Sequence, residues 1–185
     1  MTLVARPPKL NDRAQAAFAL QSYESAPRIE GVEIITLKRR GDDGGSFTEI
    51  SRLSKGVTQE FKGFEAKQIN FSEMDSGVIK AFHLHRNQTD VWFVPPSDKM
   101  LVVLKDVREN SPTENNVWRI VMGGGEARLL RIPPGVAHGV KNIGQAVGRI
   151  IYLVDHHFNP DPKHGQEGRL PWDFAGAEVW EIQKG

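Results

Sequence analysis

Three histidines in this chain stand where strands would hold them. His83 and His85 are two apart in Gly77-Val-Ile-Lys-Ala-Phe-His-Leu-His85. A strand turns alternate side chains to the same face, so these imidazoles share one face while Phe82 and Leu84 share the other. His138 lies in Ile132-Pro-Pro-Gly-Val-Ala-His-Gly-Val-Lys-Asn142, where a Pro-Gly turn delivers the chain into a new strand with His138 near its beginning. Any one of these could be a satisfied core or edge histidine. Converging imidazoles, however, cost desolvation unless they bind a metal, a substrate or a carboxylate. Tyr152, one of two tyrosines, lies in Arg149-Ile-Ile-Tyr-Leu-Val154 and shares a face with Ile150 and Val154. A phenol among aliphatic residues is either packing with one hydrogen bond or a general acid able to protonate a carbanion or enolate. With no cysteine in the chain, thiol nucleophiles, disulfides and thiolate zinc sites are excluded.

The elements that must position these groups are mostly strands. Eighteen Gly and 11 Pro in 185 residues punctuate the chain at short intervals, which suits strands better than long helices. One helix is predicted, from Asp12 to Tyr23, rich in Ala and Gln and with Asp12 as its cap. Strands are predicted at 32–37, 64–71, 77–85, 91–94, 100–107, 117–122, 127–132 and 148–154, separated by turn clusters such as Gly41-Asp-Asp-Gly-Gly45 and Pro95-Pro-Ser-Asp98. Strands at this spacing in one domain imply a sandwich or barrel. The expected division is an N-terminal extension with the short helix (1–30), a barrel domain (31–173) and a C-terminal tail (174–185). The stretch from Pro160 to Gly185 is expected to wrap the surface or a partner subunit, with Trp172 and Trp180 covering the barrel or touching that partner. Trp92, Phe93 and Trp118 read as core or dimer packing, His156-His157 as a solvated strand end, and Gly123-Gly-Gly125 as a turn.

A net charge of +1 gives no general electrostatic reason to bind nucleic acid or a membrane surface. No stretch approaches the ~20 apolar residues of a bilayer span. The opening residues lack the apolar run of a secretory signal, so a soluble cytoplasmic protein is expected.

The motifs resemble a known family. Pro133, Gly135, His138 and Asn142 match the second conserved stretch of cupins, and His83-x-His85 loosely matches the first. More specifically, their order resembles the dTDP-4-dehydrorhamnose 3,5-epimerase family. Asp42-Asp-Gly-Gly-Ser-Phe-Thr-Glu49 is similar to its Asp-x-Arg-Gly-x-Phe-x-Glu, Lys67-Gln-Ile-Asn70 to its Gln-x-Asn strand, and 77–83 to its Gly-Val-Leu-Arg-Gly-Leu-His. Asp106-Val-Arg108, Ser111-Pro-Thr113, Phe158-Asn-Pro160 and Leu170-Pro-Trp-Asp173 follow in the expected order. The resemblance implies an all-β, cupin-type double-stranded β-helix (a jelly-roll barrel) and a homodimer that exchanges its first strands. It also implies isomerisation of a nucleotide-linked 4-keto-6-deoxy sugar. The base falls on His83, the acid on Tyr152 and the second histidine on His138; Gln68, Asn70, Lys80 and His85 become substrate contacts. No cofactor is implied, because the substrate's carbonyl serves as electron sink.

Several family positions differ here. Gly44 replaces the Arg that grips the nucleotide diphosphate, with Arg39 and Arg40 a few residues upstream; Lys80 stands for a second Arg and keeps the charge without the bidentate fork. Asp90 or Val91 occupies the place of the enolate-stabilising Lys, and Val102 that of the Asp partnering the second histidine. The Leu-Ser-x-Lys-Asp segment that orients the base histidine has no counterpart, so that carboxylate is expected to be missing. A rival reading uses the same residues. His83, His85, Asp90 and His138 reproduce the cupin metal pattern, whose donors suit one divalent transition metal. A non-catalytic sugar-binding jelly roll is the third possibility.

Overall fold

A computed structural model describes residues 7–20, 27–159, 161 and 167–183. The strands are β1 (Glu33–Thr36), β2 (Arg39–Asp42), β3 (Gly45–Thr48), β4 (Leu53–Ser54), β5 (Val57–Thr58), β6 (Gln68–Met74), β7 (Ile79–His85), β8 (Asp90–Phe93), β9 (Lys99–Asp106), β10 (Val117–Gly123), β11 (Arg128–Ile132), β12 (Val136–Asn142), β13 (Gly148–Val154) and β14 (Glu167–Arg169). Ten of them form two antiparallel sheets. Sheet one runs β1-β11-β8-β13-β6 and sheet two runs β10-β9-β12-β7-β14. Between β6 and β14 every connection except the β9–β10 hairpin crosses from one sheet to the other, which is the jelly-roll path. β2–β3 and β4–β5 are separate hairpins. Among the described residues no helix is long and apolar enough to cross a membrane.

The predicted helix is shorter than expected. α1 spans Asp12–Ala17, its cap is Asn11 rather than Asp12, and Phe18 is already extended; residues 21–23 lie outside the described residues. None of its residues is buried, and without a packed face a short helix has little to extend it. The strand expected at 64–71 begins instead at Gln68 and runs to Met74. Phe64 is spent on packing: with Phe61 it plugs a cluster against Val91, Phe93, Leu129 and Leu153 on the outer face of sheet one.

The main core lies between the sheets, where Met100, Val102, Leu104, Met122, Leu130, Ile132 and Val140 interleave. β9 is buried on both faces because the C-terminal segment covers sheet two from outside. There Trp180 packs with Phe82, Leu101, Val103 and Ala137. Trp180 is 2% exposed. Its indole N–H donates to the Trp172 carbonyl (2.9 Å), and its own carbonyl accepts from Lys141 (2.9 Å). Gly139 makes room for this contact, since a Cβ there would lie 2.4 Å from the Ala81 Cβ and 2.9 Å from the Trp180 ring. Trp172, by contrast, is half exposed.

The Asp106-Val-Arg108 and Ser111-Pro-Thr113 strings build a loop anchor. The fully buried Asp106 carboxylate accepts from Arg108 Nε (2.8 Å), Ser111 Oγ (2.6 Å) and Thr113 Oγ1 (2.7 Å). Arg108 and Thr113 in turn bind the backbone of Glu30. Burial opposes charge on Asp106, but these donors outweigh it and hold the carboxyl well below its usual range.

Candidate active site

A cavity of about 700 Å³ opens between the sheets, within the size range of small-molecule sites. Sheet one supplies Gln68, Asn70 and Ser72 from β6, Asp90 and Trp92 from β8, and Ile150, Tyr152 and Val154 from β13. In each set the residues are two apart, so one strand face is presented to the cavity. Sheet two supplies His83 and His85 from β7 and His138 from β12, with Glu167 and Arg169 from β14. His83 and His138 are paired across β7 and β12. The turn before β12 depends on Gly135, whose φ of +76° is left-handed and whose missing Cβ would sit 2.5 Å from the Arg108 side chain.

His83 is not left without a carboxylate. Its Nδ1 is 2.9 Å from Glu167 Oε1, in a pair 26% and 37% exposed. The carboxylate expected to be missing is therefore present, delivered by β14, which hydrogen-bonds along β7. The second histidine also has an acidic neighbour, Asp90, with its Oδ2 3.7 Å from His138 Nε2. Asp90 thus stands beside His138 although Val102 fills the position where a partner was sought. Asp90 accepts from the Trp92 indole (3.0 Å) and from Gln88 (2.8 Å), and lies 3.7 Å from His85 Nε2.

His138 is buried, with Nδ1 3.0 Å from the Val136 carbonyl. Nδ1 therefore carries the proton and donates, leaving Nε2 as an acceptor in the cavity. Burial pushes the imidazole down to about 4, against the opposing pull of Asp90 and helped by the other two histidines, so it is neutral near pH 7. Tyr152 moves the opposite way. Burial first, then the negative charges of Asp90 and Glu167, raise its phenol above the ordinary value. Its hydroxyl has no hydrogen-bond partner among the described residues, unlike a tyrosine used purely for packing.

Lys80 reaches the same cavity by a different device. Pairing of β12 with β7 slips between His138 and Val140, a bulge that breaks the period-two alternation. The Lys80 ammonium then donates to the Glu73 carbonyl (2.7 Å) and to Ser72 Oγ (3.4 Å). Gln68 donates to Asn70 (2.7 Å) and accepts from the Phe158 amide (3.1 Å), which brings Phe158 to the rim. Of the four residues expected in a metal set, three meet. One donor atom each from His85, Asp90 and His138 lies within 4.8 Å of the others. His83 is not among them, and its Nδ1 faces Glu167 instead. Asn142 is structural: it is buried and bonds the carbonyls of Met74 and Ala146 and the amide of Gly144. Arg39 and Arg40 sit in the β2–β3 hairpin, outside the lining of this cavity.

Residues 26–173 match the family described as dTDP-4-dehydrorhamnose 3,5-epimerase. The chain belongs to that family. It is similar to the spore coat polysaccharide biosynthesis protein SpsL of Bacillus subtilis (39% identity, covering 78% of this chain and 91% of that protein). Among solved structures it is similar to a dTDP sugar isomerase from Desulfovibrio desulfuricans G20 (28% identity, TM-score 0.68, covering 84% of this chain and 91% of that one). It is also similar to the dTDP-6-deoxy-D-glucose-3,5-epimerase of Legionella pneumophila in complex with dTDP-4-keto-L-rhamnose (26% identity, TM-score 0.66, covering 78% and 75%). The cupin-like jelly roll and the carbohydrate epimerase class follow from this membership.

Proposed function

We propose that this epimerase acts on a nucleotide-linked 4-keto-6-deoxy sugar, with His83 as base and Tyr152 as acid. The observation that carries the reading is that the two side chains line one cavity from opposite sheets. The 4-keto group acidifies the hydrogens on carbons 3 and 5. His83, with Nδ1 held by Glu167, takes one of these protons at Nε2, and the C–H electrons move onto the carbonyl oxygen as an enolate. Tyr152, kept protonated by its raised pKa, returns a proton to the opposite face of the carbon and inverts it. His138 offers a neutral acceptor nitrogen that orients a sugar hydroxyl, while Gln68, Asn70, Lys80 and His85 contact the substrate. The carbonyl is the electron sink, so proton transfer here needs no redox or group-transfer cofactor.

The catalytic unit is the barrel, residues 31–173, in a cytoplasmic homodimer that exchanges its first strands. Ile69 and Phe71 support a partner: they are 60% and 59% exposed on the outer face of the edge strand β6, where an apolar surface favours being covered. Replacing His83 with Asn tests the reading. Wash-in of solvent deuterium at the sugar carbons is expected to fall about 10²–10⁴-fold, and wash-in at the wild-type rate would overturn the assignment.

One observation favours a second reading, that of a metal-dependent cupin. One donor atom each from His85, Asp90 and His138 lies within 4.8 Å of the others, with His85 Nε2 and His138 Nε2 each 3.7 Å from the Asp90 carboxylate. His85, Asp90 and His138 would hold a divalent transition metal, which when bound would polarise a substrate oxygen. Stoichiometric metal in the purified protein, lost in His85→Ala, supports it; metal-free protein that exchanges deuterium excludes it.

A further inference from the structure

We propose that Arg169 is the anion handle of this cavity and takes the phosphoryl oxygens of the substrate; the proposal rests on the nucleotide-sugar reading. A dianionic substrate enters a cavity that already holds two carboxylates, Asp90 and Glu167. It needs a cation to meet it, and the family's arginine is replaced by Gly44. Apart from the histidines, the lining contains two basic side chains, Lys80 and Arg169. Lys80 already donates to the Glu73 carbonyl and Ser72, which leaves one N–H for the substrate. The Arg169 guanidinium has no hydrogen bond or ion pair among the described residues.

Its placement follows from strand geometry. Glu167 and Arg169 are two apart on β14 and share a face. Glu167 uses that face to reach His83, and the backbone of Arg169 stands directly opposite His83 in the register of β14 against β7. Arg169 therefore lies beside the base with its guanidinium unspent. A planar guanidinium grips two phosphate oxygens at once, which the ammonium of Lys80 does not do. The sugar ring lies between His83 and Tyr152, and the phosphoryl groups on its anomeric carbon extend outward along β14.

The test is calorimetric titration of dTDP into wild type, Arg169→Gln and Arg169→Lys, with steady-state kinetics on a dTDP-4-keto-6-deoxy sugar. Loss of a charge-assisted bidentate contact is expected to weaken dTDP binding roughly ten- to hundredfold in Arg169→Gln. KM should rise far more than kcat falls, and Arg169→Lys should recover only part of the affinity. Thermal unfolding of each variant identifies any that fails to fold, and the lysine variant keeps the charge for comparison. Wild-type dTDP affinity in Arg169→Gln overturns the handle; if wild type still exchanges deuterium into the sugar, the epimerase reading stands. Wild-type protein that neither binds dTDP nor exchanges deuterium overturns both.

Discussion

Glu167 holds His83, the proposed base, through one hydrogen bond of 2.9 Å, and its two simplest substitutions separate what that bond does. Glu167→Gln keeps an oxygen that can accept from His83 Nδ1, so the tautomer survives and only the charge is lost. The difference between a charged and a neutral hydrogen bond is about 1 kcal/mol, or roughly fivefold in rate. Glu167→Ala removes the acceptor altogether and lets the ring rotate. The whole bond, about 1.5–3 kcal/mol, then disappears, and kcat is expected to fall about ten- to hundredfold. The pair is partly exposed, which argues for the lower end of each range. Stability should change by no more than about 0.5 kcal/mol, since the carboxylate lies at the surface of the cavity. The assay is deuterium wash-in at the sugar carbons by NMR, at saturating substrate, alongside urea unfolding. Wild-type exchange in Glu167→Ala would show that β14 does not position the base. A loss of equal size in Gln and Ala would show that charge alone matters.

Tyr152→Phe is expected to retain exchange at carbons facing His83 while losing inversion; unchanged product stereochemistry would reduce Tyr152 to packing. Trp180→Ala should cost about 3–5 kcal/mol, read as a lower urea midpoint, and an unchanged midpoint would show that the C-terminal segment is not part of the core. Acid should also weaken the metal-free fold. The unfolded chain takes up a proton at His138 near pH 6.5 and the native state only at about 4. Stability therefore falls as pH drops through that window, and His138→Asn should flatten the curve. A wild-type midpoint that is constant from pH 7 to 4.5 would contradict this.

Much of the site could be read from local pattern. Period two placed His83 and His85 on one face, and the stiff Pro-Pro-Gly turn placed His138 early in its strand. What escaped reading involves partners distant in the chain or breaks in alternation. Glu167 is 84 residues from His83 and sits in a three-residue strand with no hydrophobic rhythm. Lys80 was legible through the family resemblance alone, since it enters the cavity at a bulge that no spacing rule reveals. Asp90 lies beside His138 from the opposite sheet, whereas the family pattern points along β9 to Val102. Phe64 falls outside the strand expected to hold it, and Trp180 covers sheet two as expected, for a related reason: both sheets have covered outer faces, so a buried aromatic need not belong to a strand. The Asp106 motif was legible as a motif, and its structural role emerged only from the loop it closes.

β14 attaches to the barrel along one edge and carries, on alternate residues, the carboxylate behind His83 and the arginine at the cavity rim. On the proposed mechanism these three residues would set both how strongly the proton is pulled and which phosphoryl end is admitted, while contributing nothing to the packed interior. Exchanging this ribbon between relatives would retune catalysis and specificity together at almost no cost in folding.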